Sequence, residues 1–259
     1  MKRLRLLYKY LIHFFSARNT RGHGVHSPFV FHFTNFILNN NELYYVFPRI
    51  EAVRSVLLND KRSINVCDFG TGNDRVRVVS DIARHSLKSA KYGQLLFRIV
   101  NCLKISNILE LGTSLGITTA YLASPSTAIR CISLEGCPQT ANIAQDNFKK
   151  LGLHNIEVVV GNIDDTLPTV LDKVADLDLI FFDANHRSEY LLKYFNQCLT
   201  KVNENTVMVI DDIYWSADME SAWRQIKECS MVTSTIDLFQ LGIVFFNTDL
   251  HKKHYKMRY

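Results

Sequence analysis

The chain has 259 residues, of which 47% are hydrophobic, and its formal net charge is +5. A chain of this size can bury one substantial core and has room for a smaller appendage. No run reaches the roughly 18 uncharged apolar residues of a membrane-spanning helix. The six cysteines contain no C-x-x-C pair, and several lie in apolar runs. These features exclude a membrane span and a disulfide framework, and reduced thiols favour a cytoplasmic location.

The first 95 residues are predicted to form a mainly helical cap on the substrate side. Three helical patterns occur there, at residues 4–15, 29–38 and 50–58. The first pattern is amphipathic, and its apolar face consists of Leu4, Leu7, Leu11, Phe14 and Phe15. We expect this face to pack on its own domain. Because basic residues cluster at both ends of the chain, a weak contact with anionic membrane lipid or nucleic acid is the alternative.

Two segments of this region have no clear assignment. The loop RGHGVHSPFVF holds His23 and His26, which favour structural packing or a substrate-side loop over a metal site, because no cysteine or carboxylate accompanies them. CDFGTGND, at residues 67–74, is a rival glycine loop, but no strand ending in an acid follows it at a suitable distance. A surface turn or a substrate-side lid is the preferred interpretation.

From residue 96 onward we predict a second domain that reaches residue 259. Short apolar runs there predict seven strands, at residues 107–111, 128–134, 156–160, 177–182, 206–210, 232–238 and 243–246. Helix-length segments separate the first six runs, which is typical of a parallel α/β sheet covered on both faces. The last two runs are too close for a parallel crossover and predict an antiparallel pair. The expected fold is a Rossmann-like, seven-stranded, mostly parallel sheet whose last strand is antiparallel.

The most informative stretch is NILELGTSLGITTAYLA, which begins at Asn107. An apolar strand runs into a loop with Gly112 and Gly116, and a helical segment follows immediately. Such a loop lets backbone N–H groups approach a ligand at the start of a helix. The next strand ends in Glu135, 23 residues after Gly112, where a Rossmann-type fold places a carboxylate for ribose hydroxyl groups. The pair predicts a nucleotide-containing ligand.

Carboxylates follow the fourth and fifth predicted strands, in FFDANHRSEY and MVIDDIYWS. Asp183, Asp211 and Asp212 should therefore converge at one edge of the sheet if the two strands are neighbours. Three carboxylates in one cleft favour a cation, and oxygen ligands suit Mg²⁺, Mn²⁺ or Ca²⁺. The alternative is that each acid only caps the following helix. His186 is a candidate general base or a surface histidine.

These segments, taken in order over residues 91–246, resemble class I S-adenosylmethionine-dependent methyltransferases, in particular the metal-dependent O-methyltransferases of the catechol and caffeoyl-CoA type and their bacterial relatives. The resemblance implies methyl transfer from S-adenosylmethionine to a hydroxyl group of a small molecule, with assistance from a divalent metal. It implies cofactor contacts from Gly112, Thr113, Gly116, Thr118, Glu135, Gly161, Asn162, Ile163 and Asp183. It also implies that Asp183, Asp211 and Asp212 bind the metal and that Asp183 and His186 are catalytic.

Two positions depart from the pattern of that family. Asp212 stands where an asparagine is usual, and His186 stands where a lysine is the usual base. Tyr214 and Trp215, which follow the acidic pair, are candidate walls for a planar acceptor. A nucleic-acid methyltransferase is one alternative, although an N/D-P-P-Y/F signature is absent, and a non-catalytic binding module is another. The sequence leaves the acceptor, the metal and the formation of a homodimer open.

Overall fold

The computed structural model describes residues 2–22, 24–67 and 75–259. His23 and residues 68–74 lie outside the described residues, and with them most of the CDFGTGND segment. By their internal contacts the residues group into two compact units, one of residues 41–173 and one of residues 1–40 with 174–259. The predicted functional division at residue 95 stays a prediction.

The α-helices of the described residues are α1 (Lys2–Ser16), α2 (Pro28–Phe33), α3 (Val46–Asn59), α4 (Val79–Ser86), α5 (Ala90–Leu103), α6 (Ile117–Ala123), α7 (Pro138–Leu151), α8 (Ile163–Lys173), α9 (Ser188–Cys198) and α10 (Ala217–Glu228). A π-helical turn covers Thr34–Leu38, and a 3-10 turn covers Leu199–Lys201. The strands are β1 (Ser63–Val66), β2 (Arg75–Val78), β3 (Asn107–Leu111), β4 (Arg130–Glu135), β5 (Ile156–Val160), β6 (Leu179–Phe182), β7 (Val207–Asp211), β8 (Ser234–Asp237), β9 (Leu241–Phe245) and β10 (Lys253–Lys256).

In the unit of residues 41–173, the strands β3, β4 and β5 are adjacent in that order and parallel. The residues that follow each strand therefore meet at one edge. Aromatic and aliphatic side chains of α3, α5, α6 and α7 form a buried cluster in this unit that includes Phe47, Ile50, Phe97, Tyr121 and Phe148. The antiparallel pair β1–β2 was not predicted, because its four-residue strands are half-exposed and carry no apolar run.

The other unit contains the strand order β10-β8-β9-β7-β6. β6 and β7 are parallel neighbours, while β9 is antiparallel to both β7 and β8. This arrangement confirms the antiparallel pair predicted at the end of the sheet. β10, which is parallel to β8, adds a strand that was not predicted, because its sequence KHYK is mostly polar. On α10, Trp223 is buried against Gly242 of β9, where a Cβ would lie 2.8 Å from the indole ring.

The orientation of α1 differs from the expected one. The expected buried face is exposed, with Leu4 at 72% and Phe15 at 75% of full exposure. The polar face instead points to the unit: Arg5 and Lys9 form ion pairs with Glu220 of α10. Ion pairs and a buried histidine, His13, thus attach α1 through its polar side, which the hydrophobic pattern could not reveal. Within the described residues, no helix combines the length and the apolar character needed to cross a membrane.

Candidate active site

The glycine loop follows β3 and is held against the end of β4. Gly112 has a φ of 104°, and its N–H donates to the carbonyl of Leu134 at 2.9 Å. Gly116 precedes α6 with a φ of 81°, and a Cβ there would lie 2.6 Å from Cε1 of Phe148. Both the backbone conformation and the packing against α7 therefore require glycine at position 116.

Glu135 lies directly beside this loop, as the sequence predicts. One carboxylate oxygen, Oε2, accepts the N–H of Ser114 at 2.7 Å, and Oε1 accepts the N–H of Cys137 at 2.9 Å. Burial raises the pKa of the Glu135 carboxyl, although the N–H donors of Cys137 and Ser114 oppose this shift. The N–H of Gly161, after β5, donates to the carbonyl of Glu135 at 2.9 Å. The ends of β3, β4 and β5 are thus joined by hydrogen bonds.

The remaining residues predicted to contact the cofactor also have structural roles. Thr113 is buried with its hydroxyl 2.5 Å from that of Ser133, and Thr118 is buried in α6. Asn162 accepts the N–H of Asp164 through its side chain at 3.1 Å and so caps the start of α8. Ile163 is buried at the first position of that helix. Cofactor contact by these four residues stays a prediction.

Sequence reasoning missed Glu110, a fully buried carboxyl beneath the glycine loop. Its Oε2 accepts the hydroxyl groups of Thr119 at 2.5 Å and Ser133 at 2.6 Å. No hydrogen-bond partner is found for Oε1 among the described residues. Burial raises the pKa of Glu110 to about 7 despite these two donors. The signal available was an acid inside an otherwise apolar strand, two residues before Gly112.

A second cluster of polar groups lies in the other unit, at the ends of β6 and β7. Asp183, His186 and Asp211 each offer one ligand atom, and all three atoms lie within 4.8 Å of one another. Nε2 of His186 is 3.7 Å from Oδ1 of Asp183. Asp211 is buried as the last residue of β7, while the other two side chains are half-buried. The two carboxylate oxygens suit Mg²⁺ or Mn²⁺, and the imidazole nitrogen shifts the preference of the set toward Mn²⁺.

Hydrogen bonds hold the loop that carries His186 on both sides of this residue. Asn185 has a φ of 48° and donates from its side-chain amide to the hydroxyl of Tyr194 at 3.2 Å. Ser188, which begins α9, donates from its N–H and its hydroxyl to the two carboxylate oxygens of Asp218, at 2.7 and 2.6 Å. These bonds lower the pKa of Asp218. Asp218 comes from α10, so two helices fix the position of the loop.

Asp212 and Tyr214 do not join this cluster. In the described part of the chain, the set of three potential ligands contains His186 and does not contain Asp212, whose φ is 53°. The expectation that Tyr214 forms a wall for an acceptor is wrong, because its ring is buried and its hydroxyl donates to Asp237 at 2.6 Å. Trp215 is 46% exposed, and its role as a wall for the acceptor stays a prediction.

Comparison with known proteins gives a family match. Residues 109–213 match the family described as a methyltransferase domain. A catechol O-methyltransferase of Mycobacterium tuberculosis is 31% identical over 127 residues, which cover 48% of this chain and 56% of that protein. A catechol O-methyltransferase of Niastella koreensis is 33% identical over 129 residues, covering 48% and 57%. The chain thus spans little more than half the length of these relatives.

The structure is also similar to that of an O-methyltransferase from Bacillus cereus in complex with SAH. The TM-score is 0.58 at 20% identity, and the likeness covers 79% of this chain and 92% of that one. This likeness confirms the Rossmann-like α/β fold that the sequence predicts. Together with the match of residues 109–213, the relatives confirm the predicted resemblance to class I methyltransferases of the catechol O-methyltransferase type.

Proposed function

We propose that this protein transfers a methyl group from S-adenosylmethionine to a hydroxyl oxygen of a small acceptor molecule. The observation that carries the proposal is the 2.7 Å hydrogen bond between the N–H of Ser114 and Oε2 of Glu135. It places a carboxylate next to the glycine loop, which is the arrangement that a nucleoside with a charged tail requires.

The residues around Glu135 suit such a ligand. An ionised carboxylate has about four acceptor positions, and the N–H groups of Ser114 and Cys137 occupy two of them. The N–H of Gly136 and the hydroxyl of Thr140 also donate to this carboxylate, so a ribose hydroxyl would share or replace one of these donors. Gly112 has a φ of 104° and no side chain, so its backbone is accessible to a ligand. The loop can therefore approach the ligand closely.

The cluster of Asp183, His186 and Asp211 is proposed to handle the acceptor. The acceptor oxygen forms a bond to the methyl carbon as the carbon–sulfur bond breaks, and the electron pair of that bond stays on sulfur. The hydroxyl proton passes to His186, and the carboxylate of Asp183, 3.7 Å away, stabilises the resulting imidazolium. A divalent cation held by the carboxylates of Asp183 and Asp211 would lower the pKa of the acceptor hydroxyl, with His186 left to take the proton. Asp212, which follows Asp211 in the chain but is not one of the three clustered groups, is proposed as a further ligand that a bound cation would recruit.

Calorimetry with S-adenosylmethionine tests the cofactor site. We expect the wild type to bind, and we expect Glu135→Ala to weaken binding at least about tenfold, because hydrogen bonds to a charged group are lost. Glu157→Ala is the matched control, since Glu157 is an exposed glutamate of the neighbouring strand β5. A wild-type protein that does not bind S-adenosylmethionine would show that the proposal is wrong.

Turnover of a panel of small hydroxylated aromatic compounds tests the acceptor site. If His186 binds a metal together with Asp183 and Asp211, EDTA should abolish activity and Mg²⁺ or Mn²⁺ should restore it. If His186 acts only as the base, activity should persist in EDTA, and His186→Gln should lower turnover without changing the affinity for S-adenosylmethionine. A His186→Gln variant as active as the wild type, with and without EDTA, would exclude both roles for His186.

A further inference from the structure

Helix α1 presents a continuous apolar surface to the solvent. Five of its side chains follow the spacing of one helical face, and a sixth adjoins them; we call this set the apolar stripe. It consists of Leu4, Leu7, Tyr8, Leu11, Ile12 and Phe15, which are between 43% and 75% exposed. Single exposed apolar residues are ordinary on a protein surface, but a contiguous set along three turns of a helix marks an interaction surface.

The orientation of the apolar stripe is fixed by the opposite face of α1. Nη2 of Arg5 and Nζ of Lys9 contact the two carboxylate oxygens of Glu220, at 3.0 and 2.7 Å. One turn further, His13 is buried and lies 3.1 Å from Oδ1 of Asp237. Rotation of the helix to bury the apolar stripe would break all three contacts. The stripe is therefore held outward by the fold itself.

The two terminal segments near the apolar stripe contain only positive side-chain charge, and two of their cations, Arg5 and Lys9, are paired with Glu220. Residues 1–40 contain six lysines and arginines, residues 250–259 contain four, and neither segment contains an aspartate or a glutamate. The other 209 residues consequently have a formal charge of −5, although the whole chain has +5. This separation of charge is much larger than the net charge suggests.

The two basic segments lie side by side at the end of α1. The guanidinium of Arg258 stacks on the ring of Phe14 at 4.1 Å, and its Nε donates to the carbonyl of Phe14 at 2.8 Å. Nζ of Lys253 donates to the carbonyl of Gly24 at 3.4 Å. Arg18 and Arg21, between these points, are exposed. These arginines and Lys253 thus form a cationic border near the C-terminal end of the apolar stripe.

We propose that the apolar stripe and its cationic border dock this protein on an anionic lipid surface, with α1 lying in the plane of the interface. Apolar side chains would enter the boundary between headgroups and acyl chains, and the lysines and arginines would face anionic headgroups. A second copy of the chain is a poorer occupant, because two such borders would bring like charges together. Helix α1, with fifteen residues, suits binding along the surface and is too short to span a bilayer.

Flotation with lipid vesicles tests this docking. We expect the wild type to float with vesicles of phosphatidylcholine mixed with phosphatidylserine, and to stay behind with phosphatidylcholine alone. The double variant Leu7→Gln/Leu11→Gln should lose at least about tenfold in partitioning, because two apolar anchors are removed. Leu43→Gln/Val56→Gln, which changes two exposed apolar residues outside α1, should bind like the wild type. High salt should weaken binding, since the border is electrostatic.

Three outcomes would overturn the proposal. One is equal flotation of the wild type with both kinds of vesicle, which would remove the role of charge. Another is equal flotation of the wild type and the Leu7→Gln/Leu11→Gln variant, checked by thermal unfolding to be folded. The third is a dimer in sedimentation velocity that this variant dissociates, with no binding of the wild type to vesicles, which would identify a second copy as the occupant.

Discussion

Two buried carboxylates, one in each unit, have opposite electrostatic environments. Glu110, beneath the glycine loop, accepts hydrogen bonds from two hydroxyl groups, and burial raises its pKa to about 7. Asp237, at the end of β8, accepts from the hydroxyl of Tyr214 and the N–H of Phe239 and lies 3.1 Å from Nε2 of His13. Burial alone would raise the pKa of Asp237, but these partners together lower it.

The difference shows that burial does not decide the charge of a carboxylate; its donors do. With two neutral hydroxyl donors, Glu110 keeps a pKa near neutral pH. An imidazole, a phenol and a backbone N–H instead stabilise the charged form of Asp237. We therefore expect Asp237 to be a structural anion, whereas the site of Glu110 tolerates a neutral group.

The largest expected effect is the loss of Asp237. Asp237→Ala leaves the hydroxyl of Tyr214 without its acceptor, and His13 keeps only the backbone carbonyl of residue 237, so the free energy of unfolding should fall by about 3–5 kcal/mol. Denaturation in urea measures this change. Asp249→Ala, an exposed aspartate of the same unit, should change the free energy of unfolding by less than about 0.5 kcal/mol.

The dependence of the unfolding free energy on pH in acid tests whether the pKa of Asp237 is lowered in the native state. Because its native pKa is lowered, the carboxylate stabilises the fold above about pH 4, its unfolded value, and this contribution is lost as the pH falls through the native pKa. The stability of Asp237→Asn should therefore fall less steeply in acid than that of the wild type. If the unfolding free energies of the two proteins fell equally with decreasing pH, Asp237 would not be a structural anion.

Glu110 should produce the opposite pH dependence. With a native pKa of about 7 against 4.5 in the unfolded chain, the native state keeps a proton that the unfolded state has released, so stability falls as the pH rises from 4.5 to 7. The expected loss across this window is about 3 kcal/mol. Glu110→Gln cannot ionise and should lack this loss. The difference in unfolding free energy between the two proteins, measured at several pH values, isolates the contribution of Glu110.

A matched control for this measurement is Glu157→Gln, which changes an exposed glutamate of the same unit. Its stability should follow the wild-type pH dependence. If Glu110→Gln also follows the wild type between pH 4.5 and 7, Glu110 is already ionised in the native state at low pH. The contrast with Asp237 would then disappear.

The sequence was sufficient for the features that depend on short-range patterns. Alternating apolar runs and helical segments predicted the seven strands β3–β9 in order, and the short connection after residue 238 predicted the antiparallel pair. The distance from Gly112 to Glu135 predicted their proximity. Each of these inferences uses either periodicity within an element or the rule that the ends of parallel strands meet at one edge.

The features that were missed depend on contacts between distant segments. His13 and Asp237 are 224 residues apart, and Tyr214, which the sequence suggested as an acceptor wall, is turned into their network. Glu110 meets hydroxyl groups from another strand and from α6. The outward orientation of α1 follows from its pairing with Glu220, which hydrophobic periodicity does not report.

Removing a single hydrogen-bond donor to each carboxylate should lower the free energy of unfolding, and the loss should be larger for Asp237 than for Glu110. Tyr214→Phe keeps the ring stacked on Phe239, at 5.2 Å between centroids, and removes only the bond to charged Asp237, so we expect a loss of about 2 kcal/mol. Thr119→Val removes a donor to Glu110, which is largely protonated below neutral pH, and should cost about 1 kcal/mol. Urea unfolding of the two variants measures both losses of free energy. Equal losses would contradict the proposed difference between a charged Asp237 and a largely protonated Glu110.

The smallest effect on stability is expected at Asp218, where an exposed carboxylate holds the loop of His186. Hydrogen bonds from Ser188 lower its pKa, but solvent screens the interaction, so Asp218→Ala should cost no more than about 0.5 kcal/mol in unfolding free energy. Its effect on turnover should be larger, because the loop between β6 and α9 loses one of its two anchors and His186 is held less firmly. Glu189→Ala, which changes an exposed acid in the first turn of α9, is the control. Turnover that falls equally in both variants would mean that general surface charge, and not the anchoring of the loop, sets the activity.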